Sequence, residues 1–127
     1  MEVYIDGTSY PNPGKMGIGI VVVKRGKIIR KVSESPGRGT NNQAEYLAAI
    51  KALKEVKCKE LTLFSDSQLL VKQLKGEYKV KNEKLQRLWN RFNKLRKNRS
   101  VEIRWIPRER NKIADKLAKS ALDNCRI

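Results

Sequence analysis

The sequence contains no histidine. That absence excludes His-based catalytic triads and His-ligated metals, and it leaves carboxylates as the candidate catalytic groups. Cysteine is scarce: Cys58 and Cys125 lie far apart without a CxxC spacing, so no zinc site is expected. A bridge between them would pin the C-terminus to the domain, but a reducing cytosol argues against it. No apolar run approaches the ~18 residues of a membrane span, and Met1 leads into a strand-like segment rather than a basic-then-apolar leader. The expectation is a cytoplasmic protein, neither secreted nor inserted in a membrane. With only 8 Gly and 4 Pro, 39% hydrophobic and 33% charged residues, the chain is neither low-complexity nor disordered. Its 127 residues suit one core, so residues 1–127 are read as a single domain and as a monomer.

Acidic residues are also few. Thirteen Asp and Glu face 29 Lys and Arg, a net charge of +16. Residues 1–70 hold 11 basic and 7 acidic side chains, whereas residues 71–127 hold 18 and 6. A surplus of this size concentrated in one half points to a polyanionic partner, most often nucleic acid. A Lys-rich thermophile surface would raise Glu alongside Lys, which does not happen here.

Val3 and Ile5 alternate with Tyr4 and Asp6 as a strand stopped by Gly7. Gly17 to Val23 is apolar and β-branched, Arg25-Gly26 is a turn, and Lys27 to Ser33 returns, which completes a three-stranded antiparallel meander. Thr40-Asn41-Asn42 offers caps for a helix running to about Val56, with Tyr46, Leu47, Ile50 and Leu53 at helical spacing. Leu61 to Ser65 is a short strand, and a strand reached through a helical crossover runs parallel to the one it joins. A second helix spans roughly Ser67 to Leu74. Glu83 to Lys97 carries Leu85, Leu88, Trp89, Phe92 and Leu95 on one face, beside a basic stripe of Lys84, Arg87, Arg91 and Lys94. Val101 to Ile106 is a strand ended by Pro107, and Ile113, Ala114, Leu117, Ala118, Ala121 and Leu122 mark a last helix. The order βββ-α-β-α-α-β-α predicts an α/β domain on a mixed sheet.

Asp6 closes the first predicted strand and Asp66 the fourth. If those strands are parallel neighbours, both carboxylates emerge at one sheet edge, where open α/β sheets carry their sites. Glu45 lies near the start of the first helix, and Ala48, Ala49 and Ala52 follow it at i+3, i+4 and i+7, so this acid faces the core side and wants a cation. Asp115 begins the last helix. Each acid alone has a plain structural alternative: a turn for Asp6, a helix cap for Asp66, a first-turn acid for the other two. Together, without His or Cys, they describe an all-oxygen site for Mg²⁺ or Mn²⁺. Two such ions roughly 4 Å apart can activate water and stabilise a leaving oxygen in phosphodiester hydrolysis.

Four strings in order, DGTSYPNPG (Asp6 to Gly14), GRGTNNQAEY (Gly37 to Tyr46), SDSQLLVKQLKGEYKVKN (Ser65 to Asn82) and RERNKIADKLA (Arg108 to Ala118), each hold one of the acids. On these strings the chain resembles type 1 ribonuclease H in its compact form, from Tyr4 to about Leu122. The resemblance implies the ribonuclease H-like fold, a five-stranded mixed sheet with three antiparallel and then two parallel strands, flanked by helices. It implies that Asp6, Glu45, Asp66 and Asp115 are a catalytic quartet binding two Mg²⁺ or Mn²⁺ ions. The activity implied is endonucleolytic cleavage of the RNA strand of an RNA–DNA hybrid, leaving 5′-phosphate and 3′-hydroxyl ends, with double-stranded RNA a further candidate substrate. Asn12, Asn41, Asn42 and Gln68 match positions that read 2′-hydroxyls and minor-groove edges, and Arg38 and Thr40 match a pocket for a DNA-strand phosphate.

Two departures from the family pattern stand out. The inserted basic helix of longer members is missing, so the Lys84, Arg87, Arg91, Lys94 stripe, with Lys72, Lys75, Lys79 and Lys81, is the substitute cationic surface. Many members also carry a mobile His ten residues before the last Asp; Trp105 occupies that position here, and Arg108 is the candidate replacement. Two other readings remain open from sequence. One is a transposase- or exonuclease-type enzyme of the same fold, and the other is a non-catalytic basic nucleic-acid-binding module, which has no need of four aligned acids.

Overall fold

In the computed structural model, which describes residues 1–123, the first strand does not stop at Gly7. β1 (Glu2–Tyr10) runs through it and pairs along its whole length with β2 (Gly14–Lys24), Glu2 opposite Val23 and Tyr10 opposite Lys15. Gly7 ends nothing because its backbone continues the ladder; what it lacks is a side chain, and that matters for packing. Arg25 and Gly26, both at positive φ, turn the chain into β3 (Lys27–Glu34). A two-residue strand, β4 (Arg38–Gly39), adds to the start of β2; nothing in the hydrophobic pattern announced it.

Helix α1 (Asn41–Glu55) starts on a capping box. Thr40 Oγ1 accepts from the Gln43 amide at 3.1 Å, and Gln43 Oε1 accepts from the Thr40 amide at 2.8 Å. After it come β5 (Glu60–Ser65), α2 (Gln68–Leu74) capped by Ser67, and α3 (Glu83–Leu95) capped by Asn82. They are followed by β6 (Ser100–Trp105), a 3-10 turn over Arg108–Arg110, and α4 (Lys112–Leu122). The sheet order is β3-β2-β1-β5-β6, antiparallel through β1 and parallel beyond it. This is the expected five-stranded mixed sheet, with β4 as an addition.

Alternation sends Val3, Ile5, Ile18, Ile20 and Val22 to one face of the sheet. There they form the core with Tyr46, Ala48, Ala49, Ile50, Ala52 and Leu53 of α1, Leu85 and Phe92 of α3, and Leu63 and Ile103 of the parallel strands. The opposite face receives α4 through its buried Ala114, Ala118 and Ala121. Ile113 departs from the expected apolar face: it is 44% exposed, beside Tyr4, Val21, Val23 and Ile28 on the part of the sheet α4 leaves open. Among the described residues no helix is long and apolar enough to cross a membrane. Cys58 is exposed, and Cys125, its candidate partner, lies outside the described residues.

Two glycine positions set the distances that matter. A Cβ on Gly7 would collide with the Ala44 carbonyl and the Glu45 amide, so its absence lets the first turns of α1 lie directly on β1. Gly19 stands opposite Asp6 in the ladder, and a Cβ there would strike the Ala114 carbonyl of α4. Gly7→Ala should therefore destabilise the fold by roughly 1–3 kcal/mol, because the neighbour is backbone and cannot swing away. Urea unfolding monitored by circular dichroism measures this, and a variant as stable as the parent would show that α1 is free to shift.

Candidate active site

β5 ends at Ser65 and β6 at Trp105, whereas β1 continues to Tyr10, and the last β1–β5 pair is Tyr4 with Phe64. Beyond that pair β1 has no parallel neighbour, and the notch so formed holds the acids. Asp6 sits in mid-strand at this point, not at the strand's end as the sequence pattern suggested. Asp66 follows β5 directly, and Glu45 arrives from α1 across the bare backbone of Gly7. One carboxylate oxygen from each of Asp6, Glu45 and Asp66 lies within 4.8 Å of the others. Asp115, on the first turn of α4, hydrogen-bonds Asp6 through its side chain and pairs with Lys119 at 3.3 Å. All four acids line one cleft of about 400 Å³, together with Asn41, Asn42 and Arg108.

Neighbours to which the sequence reading gave no role at the acids hold this cluster. Asn111, 2% exposed, donates from Nδ2 to Ile5 O at 2.9 Å and to Asp66 Oδ2 at 3.1 Å, tying Asp66 to the strand that carries Asp6. Trp105 Nε1 donates to the Asp66 carbonyl at 3.1 Å, and Ser67 hydrogen-bonds Glu45. Asn111 was visible only as one polar residue in an exposed-looking string; its burial depends on the β6–α4 connection.

The electrostatics follow from crowding. Asp6 is pushed up to about 8, first by burial, then by the Asp66 charge, by the hydrogen bond and charge of Asp115, and by Glu45. Glu45 is pushed up to about 7 by burial, with Asp66 adding to the rise, while the Ser67 hydrogen bond and the Arg108 charge oppose it. A cluster that retains protons near neutrality is one in which a divalent cation would take their place. The all-oxygen donor set, with no softer ligand beside it, fits Mg²⁺ or Mn²⁺.

Trp105 supports the cleft without lining it. Counting ten residues back from Asp115 lands on it, but it is the last residue of β6, in register with Ser65, and it is not among the residues lining the cleft. Ile106-Pro107 then redirects the chain into the 3-10 turn, so the cation this segment presents to the acids is Arg108.

Most of the remaining candidates lie around two further depressions. Asn12 Oδ1 accepts from Ser9 Oγ and the Asn41 amide, both at 3.1 Å, and Asn41 Oδ1 accepts from the Ser9 amide at 2.7 Å, so the β1–β2 turn is laced to the start of α1. A groove of about 740 Å³ runs between the N-termini of α1 and α3, lined by Asn12, Thr40, Asn41, Asn42, Asn82 and Lys84. Asn82 is an addition to the sequence candidates; its signal was that of a helix cap. Arg38 lies beside Lys84, Arg87 and Arg91 in a second depression of about 310 Å³, whereas Lys94 continues the stripe one turn beyond it. Gln68 opens α2, exposed and outside the acid cleft.

The RNase H family model matches residues 1–123. The chain belongs to the ribonuclease H family. A structure of RNase H1 from the halophilic archaeon Halobacterium salinarum superposes with a TM-score of 0.93 at 38% identity, covering 98% of each chain. LC11-RNase H1, in complex with an RNA/DNA hybrid, gives 0.90 at 34% identity over 96% of each. A bifunctional protein of Mycobacterium tuberculosis is 37% identical over 97% of this chain, which spans only 36% of that relative's length.

Proton linkage gives this site a measurable signature. The raised carboxyls of Asp6 and Glu45 bind protons in the metal-free fold that the unfolded chain, with ordinary values near 4, releases. Metal-free stability from this source is therefore full below about pH 4 and is lost as pH rises through about 7 to 8. Thermal melts in chelator should fall across that window, and Mg²⁺ should raise the melting temperature more at its alkaline end. Asp6→Asn should flatten the metal-free profile, and a parent profile already flat would contradict the clustering.

Proposed function

We propose that the chain is a metal-dependent endoribonuclease that hydrolyses the RNA strand of RNA–DNA hybrids, with Asp6, Glu45, Asp66 and Asp115 as the catalytic and metal-binding residues. The observation that carries this reading is the convergence of Asp6, Glu45 and Asp66 within 4.8 Å on a domain of net charge +16. Two Mg²⁺ or Mn²⁺ ions held by the quartet would supply Lewis-acid activation of the attacking water and neutralise the leaving oxygen. The chain's own residues orient the components: Asn111 and Trp105 fix Asp66, Ser67 fixes Glu45, and Arg108 offers a permanent cation to a phosphate at the cleft.

Asn41 and Asn42 line both the acid cleft and the groove between the helix N-termini, a position suited to reading 2′-hydroxyls and minor-groove edges, with Asn12 and Gln68 to either side. In the groove, Thr40 Oγ1 and Asn82 Oδ1 are occupied as caps by backbone amides. The Thr40 hydroxyl hydrogen and the Asn82 Nδ2 group remain to donate to a phosphate of the DNA strand, at the positive ends of two helices. Arg38, Lys84, Arg87, Arg91 and Lys94 continue the cationic track along the backbone. We take the chain, residues 1–127, as one ribonuclease H catalytic domain, acting as a monomer in the cytoplasm.

The deciding experiment is Mg²⁺- or Mn²⁺-dependent cleavage of an end-labelled hybrid, run beside double-stranded RNA, duplex DNA and single strands. Selective cutting of the hybrid's RNA strand, leaving 5′-phosphates, is expected; binding without cutting would favour the non-catalytic module, and cutting of DNA a transposase-type enzyme. Asp66→Asn should lower cleavage by orders of magnitude while hybrid binding and folding persist. Replacing Lys84 and Arg87 by Gln should make the salt dependence of binding shallower by about two units of log–log slope, with turnover at saturation nearly unchanged. Arg108→Ala should lower turnover more than it raises KM, with Arg108→Lys partly preserved.

A further inference from the structure

The connection from α2 to α3 is built more rigidly than its exposure requires. At its start the Glu77 and Tyr78 amides both donate to the Lys72 carbonyl, at 2.8 and 3.2 Å, as the chain turns through Gly76 at φ +82°. The buried Gln73 then acts as a hub. Its Oε1 accepts from Tyr46 OH at 2.7 Å, its Nε2 donates to the Lys79 carbonyl at 3.4 Å, and its own carbonyl accepts from Trp89 Nε1 at 3.0 Å. Val80 packs against the core. What this scaffold presents outward is Tyr78, 50% exposed, with Lys72 Nζ 4.9 Å from its ring centroid and 3.3 Å from its hydroxyl.

Between Tyr78 and the indole of Trp89 lies a cavity of about 380 Å³, completed by Lys79, Lys81 and the exposed amide of Gln86. The one acid of the segment, Glu77, is paired with Lys75 at 4.0 Å. Aromatic walls, a polar amide that can meet a base edge, and surplus ammonium groups are the chemistry that takes a nucleotide. A base within a duplex has both faces covered by its neighbours, so an aromatic-lined concavity can be filled only by a base that is unstacked. The segment runs straight into Asn82, at the edge of the groove that the proposed function gives to the DNA strand.

We propose that the Tyr78–Trp89 cavity is a subsite for an unpaired nucleotide of a DNA-strand extension adjoining the hybrid. The inference rests on the hybrid-binding reading above and extends it to the junction between duplex and single strand. The enzyme would then hold hybrids bearing a DNA overhang more tightly than blunt ones, with affinity from stacking added to that from phosphates.

Trp89 and Trp105 are the two tryptophans of the chain, so Trp105→Phe leaves Trp89 as the sole indole reporter. Fluorescence titrations of this protein, in chelator so that nothing is cleaved, would use a blunt hybrid, the same hybrid with about three unpaired thymidines on the DNA strand, and one with the extension on the RNA strand. Expected are quenching of Trp89 and roughly tenfold tighter binding with the DNA extension alone. Tyr78→Ala should abolish that gain, Tyr78→Phe should keep it, and neither should alter affinity for the blunt hybrid. Equal affinity for blunt and extended hybrids overturns the proposal, as does a loss in Tyr78→Ala that is the same for both, which would make Tyr78 a duplex contact. An equal gain from the RNA extension overturns the assignment to the DNA strand. Failure to bind any hybrid would instead remove the hybrid-binding reading on which the subsite depends.

Discussion

Carboxylates within 4.8 Å of one another repel in the absence of a cation, and the rest of this molecule is arranged to hold them there. The arrangement depends on close approach of backbone to backbone. α1 can deliver Glu45 to Asp6 because Gly7 offers no side chain, and α4 can deliver Asp115 because Gly19, opposite Asp6, offers none either. The alanines on both helices, Ala48, Ala49 and Ala52 on one side and Ala114, Ala118 and Ala121 on the other, keep those approaches short along their length. A core of larger side chains would push the helices outward and part the acids.

The strain of that clustering is offset by specific polar ties. Asn111 links Asp66 to the backbone of β1, and Trp105 and Ser67 fix the neighbouring groups, so the chain's own contacts hold the carboxylates in place. Preorganisation of this kind lowers the reorganisation needed when charge develops on a phosphate. Burial makes the same acids proton-hungry, which couples metal occupancy to pH through Asp6 and Glu45 rather than through a histidine.

Charge is segregated on a scale larger than the site. The acids occupy a notch at the ends of the parallel strands, while Arg38 and the α3 stripe line a separate depression and Lys79 and Lys81 lie on the loop that precedes α3. A polyanion drawn by the net charge would meet these cations as well as a small anionic centre, which divalent ions can convert into an attractive one. The groove between the helix N-termini joins the two regions through Asn41 and Asn42, the residues shared by groove and cleft.

Much of this was legible beforehand. Hydrophobic period and caps gave the strands, helices and parallel crossover, since alternation and helical spacing are local properties. The four motif strings pointed to the family and to the four acids that line one cleft, because a cluster of acids without softer ligands leaves a pattern of residue types readable along the chain. Tertiary structure decided what depends on contact between distant segments. Gly7 reads as a stop in a local pattern, yet it is a point of close approach within a longer strand. Asn111 and Asn82 read as ordinary polar residues until the β6–α4 connection and the meeting of two helix N-termini give them partners. Arg108, the candidate replacement for a histidine, lines the cleft and Trp105 does not: residue counting measures distance along the chain, whereas strand register and the turn after Pro107 determine which side chain reaches the acids.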